Sequence, residues 1–196
     1  MLVLATANRA KAREMTALLE GVPFRILNLA DFPGVTLPPE GESSYADNAL
    51  AKARAVASAT GEMSLADDSG IEVDALGGGP GVLSARYGGP SLSDPARCEV
   101  MLREMASVPR AKRTVRFRCF IAIVCPRRHR ETTVEGVVEG ILLDAPRGAG
   151  GFGYDPLFFY PPLGRGFAEI SAEEKNRVSH RAQAIVRARE WLLAAS

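Results

Sequence analysis

Between residues 114 and 143 the chain spells out two long strands and the turn that joins them, and few folds accommodate such a pair. Val115, Phe117 and Cys119 alternate with Thr114, Arg116 and Arg118, the period of a strand with one buried face. The alternation runs into the apolar stretch Phe120 to Val124. Pro126 to Arg130 reads as a polar turn, and Thr132 to Leu143 as the returning strand, so a long antiparallel hairpin is predicted.

The rest of the chain alternates strands with helices. Met1 to Ala5 reads as a buried strand, followed by a helix with Ala12, Met15, Leu18 and Leu19 on one face. Pro23 to Leu27 can form a second strand, and the segment Asp31 to Glu42 is loop. Ser44 with Asp47 forms a capping signature that opens an Ala-rich helix to about Thr60. Met63 to Ala66 reads as a strand ending at Asp67 and Asp68. The glycine-rich stretch Gly77 to Gly81 marks a loop, and Ser93 with Pro95 starts a helix to about Met105. Gly148 to Gly153 is a second glycine-rich loop, and Leu157 to Tyr160 a short strand. Ser171 with Glu174 caps a last helical region, broken near Ser179 and ending at about Ala194. Long helices between strands, with one antiparallel hairpin, predict an α/β class with a mixed β-sheet. A length of 196 residues suits a single domain.

Charge and composition narrow the function classes. With 24 Lys and Arg against 23 Asp and Glu, the formal net charge is +1, which disfavours a DNA-coating or membrane-surface protein. The apolar stretch Cys119 to Cys125 is far shorter than the ~20 residues that span a bilayer. The run before Arg9 is too short for a signal peptide. Cys98, Cys119 and Cys125 form no CxxC pair and leave one unmatched in any disulfide scheme. A reduced, soluble, cytoplasmic protein is expected. His129 and His180 are the only histidines, so clustered zinc sites are excluded, and a catalytic metal would be hard and oxygen-ligated, magnesium first and manganese as a possible substitute. Arginine supplies most of the positive charge. The four lysines, Lys11, Lys52, Lys112 and Lys175, are therefore candidates for chemistry of their own.

Four segments carry candidate chemistry, each with a plainer alternative. Thr6-Ala7-Asn8-Arg9-Ala10-Lys11 lies at a strand-to-helix junction, where free amides and the helix dipole favour a phosphate. Alternatively, Thr6 or Asn8 simply caps the helix. Asp67-Asp68-Ser69-Gly70 places two acids at a strand terminus, either as catalytic groups or as a solvated turn. Adjacent strand residues point to opposite sides, so at most one acid faces a given site. Gly148-Ala149-Gly150-Gly151-Phe152-Gly153 matches GxGxxG, but a turn and a strand follow instead of a helix, so the dinucleotide reading fails. What remains is a loop that delivers Phe152 and Tyr154, either to stack on a base or into the core, beside Asp155. Glu173-Glu174-Lys175 with Ser179-His180-Arg181 groups hydrogen-bond donors on a helical segment, or forms a polar helix face. The seven arginines of Arg110 to Arg130 alternate with apolar residues or crowd the turn, as a solvated sheet face does.

Taken together and in order, these segments resemble a known family. Thr6-x-Asn8-x-x-Lys11, Glu40 with Asn48-Ala49, Ala66-Asp67-Asp68-Ser69-Gly70, Gly79-Pro80-Gly81 with Ser84-Ala85-Arg86-Tyr87, Gly151-Phe152-Gly153-Tyr154-Asp155-Pro156 and Ser179-His180-Arg181 are similar to the motifs of the inosine/xanthosine triphosphate pyrophosphatases, the Ham1-like house-cleaning enzymes. The resemblance spans nearly the whole chain. It implies magnesium-dependent hydrolysis of ITP, dITP and XTP to the monophosphate and pyrophosphate, removing these nucleotides from the pool. It also implies a homodimer and an elongated mixed sheet with two lobes about a central substrate cleft, with neither nucleic acid nor membrane as a partner. Residue by residue, it implies that Thr6, Ala7, Asn8, Arg9, Ala10 and Lys11 hold phosphates, with Lys11 also catalytic. Asp68 matches the catalytic acid and metal ligand, and Glu40 the acid that helps to hold magnesium, with Glu42 two residues away as its competitor. Ser69, Phe152, Gly153, Tyr154, Asp155, Lys175, His180 and Arg181 match substrate contacts. Ala7 stands where many members have glycine. Two rivals remain: a hydrolase acting on other nucleotides or releasing single phosphates, and a non-catalytic nucleotide- or RNA-binding module that uses the arginine-rich strand.

Overall fold

The structure, a computed structural model, describes residues 1–194 as a mixed α/β protein. In chain order its elements are β1 (Leu2–Leu4), α1 (Arg9–Leu18), β2 (Ile26–Asn28), α2 (Tyr45–Thr60), β3 (Met63–Val73), β4 (Gly79–Pro80), α3 (Asp94–Glu104), β5 (Thr114–Cys125), β6 (Arg130–Leu142), β7 (Phe158–Tyr160), β8 (Arg165–Gly166), α4 (Ala172–Val178) and α5 (His180–Ala194). The chain forms two compact units. The first contains Met1–Asp68, Cys119–Gly136 and residues 180–194, and the second contains Ser69–Arg118 and Val137–Ser179. Strands β3, β5 and β6 contribute residues to both.

In the first unit the strand order is β2-β1-β3-β5-β6. β1 pairs in parallel with β2, Leu2 opposite Ile26, and with β3, Leu2 opposite Met63. Every residue of β1 is buried, and the alternation of its side chains shows why. Leu2 and Leu4 pack with Met15 and Leu19 of the α1 region and with Ala184, Ile185, Ala188 and Leu192 of α5. Val3 and Ala5 point the other way, onto Ala49, Ala53 and Val56 of α2. Helices thus cover both faces, and each large aliphatic side chain so buried contributes roughly 1.5–3 kcal/mol. The ends of α2 are set by the sequence. The Ser44 hydroxyl accepts from the Asp47 amide at 3.2 Å, and Gly61 adopts a left-handed φ of 69° that a side chain would disfavour.

In the second unit β3 is flanked by β4 and β5, and the order continues through β6 and β7 to β8. Ile71, Val73, Val115, Leu142 and Leu157 pack with Cys98 and Met101 of α3. Phe158 lies 4.7 Å from Phe117 and 4.6 Å from Phe167 between ring centroids, a cluster of tilted rings. The predicted hairpin is present as β5 and β6, neighbours in the sheet joined by the turn Pro126–Arg128.

One predicted boundary is corrected. The strand expected to end at Asp67 and Asp68 runs on through Ser69 and Gly70 to Val73, so both acids lie in mid-strand. A polar Asp-Asp-Ser-Gly stretch reads as a turn only if its carboxylates must reach water. Here both are buried and paired with cations, and the backbone stays in the sheet. The short strands β4 and β8 were not predicted, and β4, paired with Glu72 and Val73 of β3, falls within the Gly77–Gly81 stretch read as loop.

Candidate active site

Because β3 continues past them, Asp67 and Asp68 inherit the alternation of the strand. Asp67 shares the face of Leu65, which α1 and α5 cover, and Asp68 shares the face of Ala66, which α2 covers. Each acid therefore meets a different set of cations. Asp67 Oδ2 lies 3.1 Å from Lys11 Nζ on α1 and 2.9 Å from Arg181 Nη2 on α5, whose Nη1 in turn reaches Glu14. Burial alone would raise the Asp67 pKa, but Lys11, Arg181 and Lys52 outweigh it and hold the carboxyl far below the usual range. Asp67 is a structural anion at every ordinary pH.

Asp68 faces a different chemistry. Asn48 and Lys52, one turn apart on α2, reach it together: Asn48 Nδ2 donates to Oδ2 at 3.0 Å, and Lys52 Nζ to Oδ1 at 3.3 Å. The same ammonium donates to Glu40 Oε1 at 2.7 Å, so Lys52 bridges the two acids. Asn48 also fixes the loop, with Oδ1 accepting from the Gly41 amide at 2.7 Å. Burial, with the charge of Glu40 added, raises the Asp68 pKa, against the pull of Lys52, Lys11 and Asn48. That environment makes the carboxylate a better proton acceptor than an exposed aspartate. For Lys52, burial disfavours the charged form, but Asp68, Asp67 and Glu40 prevail and raise its pKa, so the ammonium persists. Glu40, not the exposed Glu42, is the loop acid that reaches this group.

The turn before α1 shows the capping alternative directly. Asn8 Oδ1 accepts from the amides of Ala10 and Lys11 at 2.9 and 3.1 Å, and Thr6 Oγ1 accepts from the Asn8 amide at 3.2 Å. Ala7, Asn8 and Arg9 are exposed, so capping leaves the turn open to a ligand. His129 is the one non-glycine residue with positive φ among the described residues, so Ala7 sits without backbone strain.

The second unit holds its own cluster. Lys175 of α4 places Nζ 2.5 Å from Asp155 Oδ2 and 4.7 Å from the centroid of the Phe152 ring, both residues of the segment before β7. Asp155 Oδ2 also accepts from the Phe152 amide at 2.9 Å. Gly151 permits this approach, since a Cβ there would fall 2.1 Å from that oxygen and its φ is 71°. Tyr154 belongs to the core: it is 6% exposed, and its hydroxyl donates to the Ser84 carbonyl at 2.8 Å. Of the two rings offered for base stacking, Phe152 is the more exposed, and Tyr154 is anchored in the core by its hydroxyl.

The structure thus brings Lys11, Asp67 and Arg181 together, Glu40 and Asp68 together, and Phe152, Asp155 and Lys175 together. Ser69 continues β3 half-buried, Gly153 follows Phe152 in the loop, and His180 opens α5, buried. The Arg181 guanidinium, 1% exposed, turns to Asp67 and Glu14 and is not displayed as a surface donor. Lys52 was singled out only as one of four scarce lysines and given no place beside the acids. Its signal was present: a scarce lysine at 52 in the stripe 45, 48, 49, 52, 53, 56 that faces the sheet. The arginine-rich strand offers little to a nucleic acid, because Arg116 and Arg118 are engaged by Glu72 and Asp74. Cys98 and Cys119 are poor nucleophiles. Burial pushes Cys98 up to about 11 and Cys119 to about 12. Among the described residues no helix is long and apolar enough to cross a membrane.

The chain is similar along nearly its whole length to known proteins. The family described as the Ham1 family matches residues 2–191. A protein of Geobacter sulfurreducens named dITP/XTP pyrophosphatase is 49% identical over 191 residues, covering 97% of this chain and 96% of that one. The Thermus thermophilus protein of the same name is 49% identical over 183 residues, 93% of this chain and 87% of that one. Among solved structures, a Ham1 protein from Staphylococcus aureus superposes with a TM-score of 0.87 at 33% identity, covering 100% of this chain and 99% of that one. A nucleoside-triphosphatase, dITP/XTP pyrophosphatase, from Mycobacterium abscessus gives 0.77 at 38% identity, covering 95% and 97%.

Proposed function

The chain belongs to the Ham1 family, and on that premise we propose that it is a nucleoside-triphosphate pyrophosphatase that hydrolyses ITP, dITP and XTP to the monophosphate and pyrophosphate. The observation that carries the reading is the near full-length match to relatives of that name. The geometry supplies the chemistry. Asp68, buried beside Glu40 and steadied by Asn48, is the group to take a proton from an attacking water. Lys11, in the first turn of α1 beside the open turn, meets the phosphate charge that grows on the leaving pyrophosphate. Thr6 to Ala10 supply the polar turn around it.

Glu40 and Asp68 suit magnesium. They are hard oxygen donors already gathered around one cation, Lys52, and magnesium is commonly held by one or two carboxylates with substrate phosphates completing its shell. Bound there, the ion would neutralise phosphate oxygens. Manganese is the expected substitute.

We assign the base to the second unit's loop, with Phe152 as the stacking ring and Lys175 as a donor for a C6 carbonyl, while Asp155 holds Lys175 in place. Adenine presents an amine at C6, and a donor facing it is left unpaired. ITP and XTP should therefore exceed ATP in kcat/KM by about 10–100-fold, measured by steady-state kinetics on each nucleotide. Equal values for ITP and ATP would refute the donor argument. Lys11→Ala should raise KM and lower kcat together, with kcat/KM down by about 10–100-fold. A change confined to thermal stability would show that Lys11 serves only Asp67 and its helix. The cytoplasm as the working compartment and a homodimer as the assembly complete the proposal, and sedimentation of the purified protein reads the second.

A further inference from the structure

Gly153 stands between the proposed stacking ring and the Tyr154 anchor, and both of its peptide groups are taken by one helix. Its amide donates to Asp94 Oδ2 at 2.7 Å, and its carbonyl accepts from the Cys98 thiol at 3.5 Å. Asp94 and Cys98 lie four residues apart on α3 and so share a face at its N-terminal end. Asp94 is steadied in turn by Arg97 Nη1 at 3.2 Å. Packing alone does not hold Gly153: its φ is 61°, and a Cβ built there would meet nothing within 4 Å. These two hydrogen bonds, with the Tyr154 hydroxyl on Ser84, are what fix the loop on this side.

We propose that Asp94, helped by Cys98, is a positioning residue that sets where Phe152 and Asp155 sit, and so governs which bases the enzyme accepts. The proposal rests on the assignment of residues 152–155 and Lys175 to the base. A carboxylate accepting a backbone amide makes one of the stronger single hydrogen bonds in a protein, and here it acts on the residue next to Phe152. A shift of that backbone moves the ring under the Lys175 ammonium and the Asp155 carboxylate that orients it.

The test is steady-state kinetics of the wild type, Asp94→Ala, Asp94→Asn and Cys98→Val on ITP, XTP and ATP, beside a thermal melt of each. Asp94→Ala should raise KM for ITP by about tenfold, with a much smaller change in kcat, and shrink the preference for ITP over ATP. Asp94→Asn retains an acceptor oxygen and should recover most of that loss. Cys98→Val, which keeps core volume but removes the donor, should shift the same quantities less. Should Asp94→Ala fold poorly, Cys98→Val and Asp94→Asn still carry the comparison. A lower melting temperature with KM and base preference unchanged in the folded variants would overturn the positioning role and leave the site assignment standing. Absence of ITP turnover in the wild type would overturn the assignment itself, and the positioning role with it.

Discussion

Asp68→Asn is expected to lower kcat on ITP by about 10²–10⁴ at saturating magnesium, the usual cost of removing a general base. The substitution keeps size and shape, and the asparagine can still meet Asn48, while Lys52 retains Glu40 at 2.7 Å. The fold should therefore survive, and a thermal melt close to that of the wild type is the control. Base binding, which we assign to residues of the second unit, should persist, so the deficit should fall on kcat more than on KM. Turnover near the wild-type rate would move the role to Glu40 or Asp67. Of those, Glu40 is the stronger candidate, because Asp67 is sealed between Lys11 and Arg181.

Arg181→Ala should cost about 3–5 kcal/mol of folding stability in a urea titration, a large share of the 5–15 kcal/mol typical of a domain. The guanidinium is buried on Asp67 and Glu14, so truncation strands a buried carboxylate and empties the volume of a large side chain. Lys11 stays within 3.1 Å of Asp67, which favours the lower end of that range. The double variant Asp67→Asn/Arg181→Met removes both charges and should recover part of the loss. A stability change under about 1 kcal/mol, with ITP selectivity diminished, would instead return Arg181 to the substrate-contact role that the family resemblance implied.

What could be read from the sequence was local. Ser44, Ser93 and Ser171 announced their helices because a cap hydroxyl acts within three residues, and all three accept the expected amides. The hairpin was legible because Phe117 and Cys119 alternate with arginines whose partners lie on the neighbouring strand. The end of β3 was misplaced for a converse reason. Asp67 is neutralised by Arg181, 114 residues away, and no local spacing encodes a partner at that distance. Lys52, noted only as one of four scarce lysines, was not placed beside the acids because a lysine on an Ala-rich helix ordinarily snorkels to solvent. Only β3, laid against that helix, shows that its head is buried between Glu40 and Asp68. Tyr154 and Phe152 were indistinguishable in sequence. The carbonyl of Ser84, far along the chain, separates them.

The central claim is that the centre of Asp68, Lys52 and Glu40 carries hydrolysis with loss of pyrophosphate. Its most direct test is incubation of the purified protein with ITP and magnesium, with the products resolved by chromatography. The account predicts IMP and pyrophosphate in equal amounts, and about 10²–10⁴-fold less of both from Asp68→Asn within the same time. IDP and inorganic phosphate from the wild-type protein would contradict it.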